Sequence, residues 1–103
     1  MNMIDQKEFD SLVATPDKLI LIDFFATWCG PCKMLSPVLE EVSADYPDVA
    51  FAKVNVDNDE ALARRYNISV IPTLVLIRNG EVLKTSVGYM DADALHAWID
   101  GAL

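Results

Sequence analysis

Between Leu19 and Ala26 the chain reads Leu-Ile-Leu-Ile-Asp-Phe-Phe-Ala, and Asp23 is its only charged residue. A strand with one wet face alternates apolar and polar residues. This run, taken from Lys18 to Ala26, does not alternate, so both of its faces must be covered, as in parallel sheets flanked by helices. It leads straight into Trp28-Cys29-Gly30-Pro31-Cys32-Lys33, which holds both cysteines of the chain. A helical pattern then runs from Cys32 to Asp45, with Leu35, Val38, Leu39, Val42 and Tyr46 on one face. A buried strand, a tight turn and a helix start therefore meet at two sulfurs.

The flanking segments supply the other layers. Asp5 and Glu8 have the spacing of a capping box, ahead of Phe9, Leu12 and Val13 at helical spacing. Pro16-Asp17 marks a turn. Pro37 predicts a kink in the helix that follows the cysteines, because it removes one backbone bond and crowds the preceding turn. Tyr46-Pro47-Asp48 ends that helix. Val49 to Val56 reads as a second buried strand, and about Asp59 to Tyr66 as a short helix closed by Asn67 in the left-handed conformation. Thr73 to Ile77 and Glu81 to Val87 are strands joined by Asn79-Gly80, a tight-hairpin pair. A last helix from near Asp91 should bury Leu95, Trp98, Ile99 and Ala102. A strand–helix–strand unit followed by a hairpin predicts a mixed sheet with helices on both faces, an α/β fold.

At 103 residues, this is the length of one domain (residues 1–103) able to bury a core without staples. A formal net charge of −8 with no basic patch argues against nucleic acid and anionic membrane as partners. Acidic residues scatter over Glu40, Glu41, Asp45, Asp48, Asp57, Asp59 and Glu60, as on a solvated surface. No apolar stretch reaches the roughly 18–20 residues of a membrane span. The start, Met1-Asn2-Met3-Ile4-Asp5, lacks the features of a signal peptide, so a cytoplasmic location is expected.

Two cysteines in such a chain point to reactivity or metal binding more than to a structural staple. Zinc takes four ligands in structural sites, whereas the chain offers no third cysteine and only His96, in the last helix. A zinc site would have to be shared between two chains, and no metal is expected. A structural disulfide over so short a loop would restrain the unfolded chain very little. Thiol–disulfide exchange is the reading left. It needs a thiolate, and an ordinary thiol is only about 3% ionised at pH 7. A helix starting near Pro31 aims free N–H groups and a positive dipole end at the preceding sulfur. Cys29 is then the nucleophile, and Cys32, more enclosed, resolves the mixed disulfide. Asp23, buried without an evident partner, should hold a raised pKa and serve as general acid and base for Cys32, or else be a simple strand-end aspartate. Lys53, on the neighbouring strand, is its candidate ionic partner, or a solvated edge lysine. Trp28 either contacts substrate and shields the site, or packs in the core. His96, Met34 and Met90 read as packing or surface residues.

Taken together, these residues resemble the thioredoxin family along essentially the whole chain. Trp28-Cys29-Gly30-Pro31-Cys32-Lys33 is similar to the family's active-site motif, and Asp23 falls where the family keeps a buried aspartate. Ile71-Pro72-Thr73 is similar to the family's cis-proline segment, Asn79-Gly80 to its hairpin, and Gly88 to the glycine of its substrate loop. The resemblance implies a five-stranded mixed sheet flanked by four helices, with a short first strand near Asn2 to Ile4 and a cis bond before Pro72. It implies that the Ile71 backbone pairs with an extended substrate. Trp28, Gly30, Pro31, Val70, Ile71, Pro72, Gly88 and Tyr89 would form the substrate-binding rim. It also implies a monomeric protein-disulfide reductase with no bound cofactor, re-reduced by NADPH through thioredoxin reductase and acting on disulfide-containing proteins. Phe25 stands where the family often has tryptophan, Asn67 where glycine is common, and Tyr89-Met90 is bulkier than usual, which bears on partner preference. Two other readings stay open: an exported oxidant or isomerase, and a binding module whose rim docks on a larger enzyme.

Overall fold

A computed structural model describes residues 1–103. In chain order the elements are β1 (Asn2–Met3), α1 (Gln6–Val13), β2 (Leu19–Phe25), α2 (Gly30–Ser43), β3 (Val49–Asn55), α3 (Glu60–Arg65), β4 (Thr73–Arg78), β5 (Glu81–Val87) and α4 (Ala92–Asp100). The five strands form one sheet in the order β1-β3-β2-β4-β5. The β1–β3 and β2–β3 pairs are parallel, and the β2–β4 and β4–β5 pairs are antiparallel. The apolar run Leu19–Phe25 is thus the central strand, covered on both faces as its lack of alternation predicts.

Each face of β2 builds its own core. Ile20, Ile22 and Phe24 pack with Phe9 of α1, Leu62 of α3, and Ala52, Val54, Val75 and Ile77 of the neighbouring strands. Leu19 and Leu21 face the other way, onto Leu35, Leu39 and Val42 of α2 and Leu95 and Ile99 of α4. Fully burying one such side chain stabilises by about 1.5–3 kcal/mol, so the two layers together hold the helices to the sheet. Asp23 and Phe25 continue the second face by the two-residue period of a strand.

Local chemistry accounts for the element ends. The Asp5–Glu8 capping box forms in both directions, with Glu8 N–H donating to Asp5 at 2.8 Å and Asp5 N–H donating to Glu8 at 3.2 Å. Asn79 and Gly80 both take positive φ, 53° and 76°, as the tight hairpin demands. Asn67, at φ 55°, ends α3 as expected. The helix carrying the cysteines starts at Gly30, two residues earlier than its apolar pattern suggests, and ends at Ser43. Tyr46 lies in the turn beyond, where its hydroxyl donates to Asp100 at 2.6 Å and ties that turn to α4. Pro37 sits within α2 on its exposed side, and the helix continues through it. Strand β1 is shorter than expected, although Ile4 N–H still donates to the Lys53 carbonyl at 2.9 Å. Trp98 is half-buried, with the Lys84 ammonium 5.9 Å from its ring centroid.

Candidate functional site

The site lies where the central strand ends. After Phe25 the chain turns, and Cys29 becomes the N-cap of α2 in extended backbone (φ −86°, ψ 115°). Pro31 follows in the first turn, where a missing N–H leaves no intrahelical bond unmade. Cys29 and Cys32 form a disulfide with 5.2 Å between their Cα atoms. The Cys32 N–H donates to Cys29 Sγ at 3.2 Å. That contact, with the positive end of a 14-residue helix, stabilises negative charge on Cys29 once the disulfide opens. Cys29 and Cys32 are 5% and 3% exposed, while Gly30 and Pro31 between them are open to solvent.

A second segment faces the sulfurs. The Ile71–Pro72 bond is cis, and the Ile71 carbonyl oxygen lies 3.8 Å from Cys29 Sγ. The Thr73 hydroxyl donates to the Val70 carbonyl at 2.5 Å, and Gly88 N–H donates to the Pro72 carbonyl at 2.8 Å. Gly88 has φ 94°, in the region open mainly to glycine, so the loop from β5 is held against Pro72 by a residue that accepts that shape. Around this seam Trp28, Val70 and Tyr89 are exposed, and so is Met34 from α2. Trp28 is therefore no core aromatic: it is 69% exposed, and its Nε1–H donates to Asp57 Oδ2 at 2.8 Å. All eight rim residues expected from the sequence gather around the disulfide or the cis-proline seam.

Behind the disulfide a pocket of about 210 Å³ is lined by Asp23, Phe25, Thr27, Cys32, Ser36 and Lys53, with Lys33 at its side. Larger, shallow depressions run along α1 and hold neither sulfur nor buried charge. The Asp23 side chain is 1% exposed, and its Oδ1 has no hydrogen-bond partner. Burial pushes its pKa up to about 7 from 3.8, against the smaller opposing pull of Lys53. A carboxyl poised near neutrality is suited to take up and return protons. The expected Asp23–Lys53 ion pair is not formed. Register places the two residues side by side on β2 and β3, but the Lys53 ammonium sits 5.2 Å from the Phe25 ring centroid. Phe25 lies on the same face of β2, two residues beyond Asp23, so the long lysine stem reaches past the carboxylate to an aromatic face. Its charge acts on Asp23 from a distance.

The chain belongs to the thioredoxin family. Residues 1–101 match the family's model, described as Thioredoxin. A thioredoxin of Chlamydia trachomatis is 45% identical over 95 residues, covering 92% of this chain and 91% of that one. Thioredoxin-1 of Saccharomyces cerevisiae is 47% identical over 81 residues, covering 79% of this chain and 78% of its own. Among solved structures, Plasmodium falciparum thioredoxin superposes with a TM-score of 0.91 at 36% identity, over the whole of both chains. Malassezia sympodialis thioredoxin superposes with a TM-score of 0.86 at 39% identity, covering 98% of this chain and 89% of that one. Thioredoxins are thiol–disulfide oxidoreductases, and the redox-type pair Cys29–Cys32 places this chain in the same enzyme class. No cluster of three or more potential ligands is arranged to hold a metal, and no helix is long and apolar enough to cross a membrane.

Some of the site's surroundings were not read from the sequence. Asp57 follows β3 and gives no local sign that it meets Trp28. Ser36 sits four residues after Cys32 on α2, a spacing that does place both on one helical face. His96 is more than a packing residue. Its Nε2 lies 2.8 Å from Asp45 Oδ2 and its Nδ1 2.8 Å from the Ala92 carbonyl oxygen. Both partners accept, so the pair favours the protonated ring, and first the Asp45 bond and then the Ala92 carbonyl raise its pKa.

Proposed function

We propose that this protein is a general protein-disulfide reductase of the cytoplasm. Cys29 attacks a substrate disulfide and forms a mixed disulfide, displacing one substrate sulfur as thiolate. Cys32 then attacks Cys29, closes the Cys29–Cys32 disulfide and releases the second substrate sulfur. Asp23 accepts the Cys32 proton during resolution and returns it in the reverse direction, with Lys53 tuning its charge. NADPH, acting through thioredoxin reductase, reopens the disulfide, and the chain holds no cofactor of its own. It works as a monomer and as a single thioredoxin domain spanning residues 1–103.

The observation that carries this reading is the placement of Cys29 at a helix start, facing the Ile71 carbonyl at 3.8 Å, with Cys32 on the pocket that Asp23 lines. An extended substrate lies along Val70 and Ile71, where Pro72 brings no competing N–H. Trp28, Gly30, Pro31, Gly88 and Tyr89 bound the docking surface. The deciding measurement equilibrates the Cys29–Cys32 pair against a defined glutathione buffer. A potential well below the glutathione poise is expected and defines an electron donor. One well above it would make the protein an oxidant or isomerase. A coupled assay with NADPH, thioredoxin reductase and insulin then checks the electron source.

The exposed apolar residues Trp28, Met34, Val70 and Tyr89 also favour a docking role on a larger protein. Docking that persists when both cysteines are changed to serine would separate that role from catalysis.

A further inference from the structure

Catalysis by the cysteine pair requires the Cys32 thiol to lose a proton inside an enclosed site, and the structure offers one polar pocket for it. Asp23 enters from β2, while Cys32 and Ser36 enter from successive turns of α2. Ser36 is half-buried, and its hydroxyl makes no hydrogen bond within the chain. A helical serine commonly turns its hydroxyl back to a carbonyl of the preceding turn, as Ser43 does to the Glu40 carbonyl at 2.8 Å. Ser36 and Asp23, whose Oδ1 has no partner, both line this pocket. At about 210 Å³ that space has room for several waters, each taking about 30 Å³ in the liquid.

We propose that Ser36 is a positioning residue for the resolving step, its hydroxyl ordering the water path that joins the Cys32 thiol to the Asp23 carboxylate. This rests on the reading of Cys32 as the resolving cysteine. In the step, the Cys32 S–H bond breaks and its proton passes along the path to Asp23. The Cys32 sulfur forms a bond to Cys29 Sγ, the Cys29–substrate S–S bond breaks, and its electron pair leaves on the substrate sulfur. Asp23 then releases its proton to solvent. The hydroxyl both donates and accepts, so it serves the path whichever end holds the proton. The other charged or titrating groups at the pocket are Lys53 of β3, with its ammonium over Phe25, and Lys33 of α2. A lysine ammonium donates and does not accept, so neither takes up the proton. Thr27 supplies a second hydroxyl but sits at the exposed end.

The test reacts the reduced protein with an aromatic disulfide that releases a coloured thiolate twice, once on attack by Cys29 and once on resolution by Cys32. Ser36→Ala is expected to slow the second release roughly tenfold, a part of the 10²–10⁴ that positioned proton transfer supplies, with the first release unchanged. It should also shift the pH profile of the second phase. Ser36→Thr, which keeps a hydroxyl, is expected to restore rate and profile. In an Asp23→Asn background Ser36→Ala should add no further slowing. Alanine is a strong helix former, so α2 is preserved. A second phase unchanged in rate and pH profile overturns the proposal, and so does equal slowing with and without the Asp23 carboxylate. Cys32→Ser serves as the separate control. It should give the first release alone, and two releases would instead overturn the assignment of Cys32 as resolving.

Discussion

The two faces of β2 are built from the same strand and serve opposite ends. On the α1–α3 side, Ile20, Ile22 and Phe24 are fully buried among apolar neighbours, and that cluster holds no charged group. On the α2–α4 side the pattern runs Leu19, Leu21, and then Asp23, a buried carboxyl with an unpartnered oxygen beside a disulfide. Successive residues thus differ in what they contribute. Phe24 stabilises the fold, whereas Asp23 costs stability and holds a proton near neutral pH. The α1–α3 face carries no buried charge, its buried Thr73 beside Phe24 being neutral and bonded to the Val70 carbonyl.

The largest effects fall on turnover. Cys29→Ser should abolish reduction of insulin disulfides, and Cys32→Ser should leave stable mixed disulfides visible by mass spectrometry. If Cys29→Ser formed those adducts and Cys32→Ser did not, the two roles would be exchanged.

The next effects are on stability, and they have opposite signs at adjacent residues. Phe24→Ala should cost about 3–5 kcal/mol in denaturant unfolding, through lost burial and the cavity it leaves. Asp23→Ala should stabilise by up to about 4 kcal/mol at pH 8, since each pH unit between 3.8 and about 7 is worth roughly 1.4 kcal/mol. The native carboxyl keeps its proton up to about pH 7, while the unfolded chain releases it near 3.8. Native protein therefore binds more protons within that window, and its stability falls as pH rises through it. The advantage of Asp23→Ala should shrink toward pH 4 and be complete above pH 7. A pH-independent difference would show that desolvation of the charged form is not the cause.

A smaller effect is expected at the rim. Asp57→Ala removes the acceptor for Trp28 Nε1–H, and because this bond is to a charged group at an exposed site, a loss of about 1 kcal/mol is expected. Tryptophan fluorescence should report increased mobility of Trp28, with substrate affinity falling more than the rate of resolution.

The smallest is at the far end of α2, where His96 bridges Asp45 and the Ala92 carbonyl. Its pKa is raised in the folded state, so its contribution is complete below the unfolded value near 6.5 and is lost as pH rises through the higher folded value. His96→Gln should flatten that part of the stability–pH curve and leave the steeper Asp23 part intact.

Much of this architecture was legible from residue type and spacing. The unalternating run Leu19–Phe25 marked the central strand, Asn79-Gly80 the hairpin, Asp5 and Glu8 the cap of α1, and Asn67 the end of α3. Helix limits were less legible at Cys29, because a cysteine is an unusual N-cap and the apolar stripe begins only at Cys32. Tyr46 misled at the other end, since it joins the core from a turn and not from the helix. Within the site, the cysteines and the lone buried carboxyl announced themselves by type. Lys53 was correctly placed beside Asp23, yet its direction was not legible, because a flexible stem chooses between a carboxylate and an aromatic face only in three dimensions. Contacts between distant segments, such as Trp28 with Asp57, leave no local pattern to read.

The two sulfurs are separated by three positions along the chain, whereas Ile71, which faces Cys29, lies 42 positions away. Closing the first contact asks nothing of the rest of the molecule, and making the second requires β2, β3 and β4 to be assembled in register. Counting thiols is therefore a poor check on the quality of a preparation, since a misassembled chain can also oxidise and reduce its cysteine pair. Capture of an extended peptide disulfide is the sounder criterion, because it tests whether both halves of the chain have met.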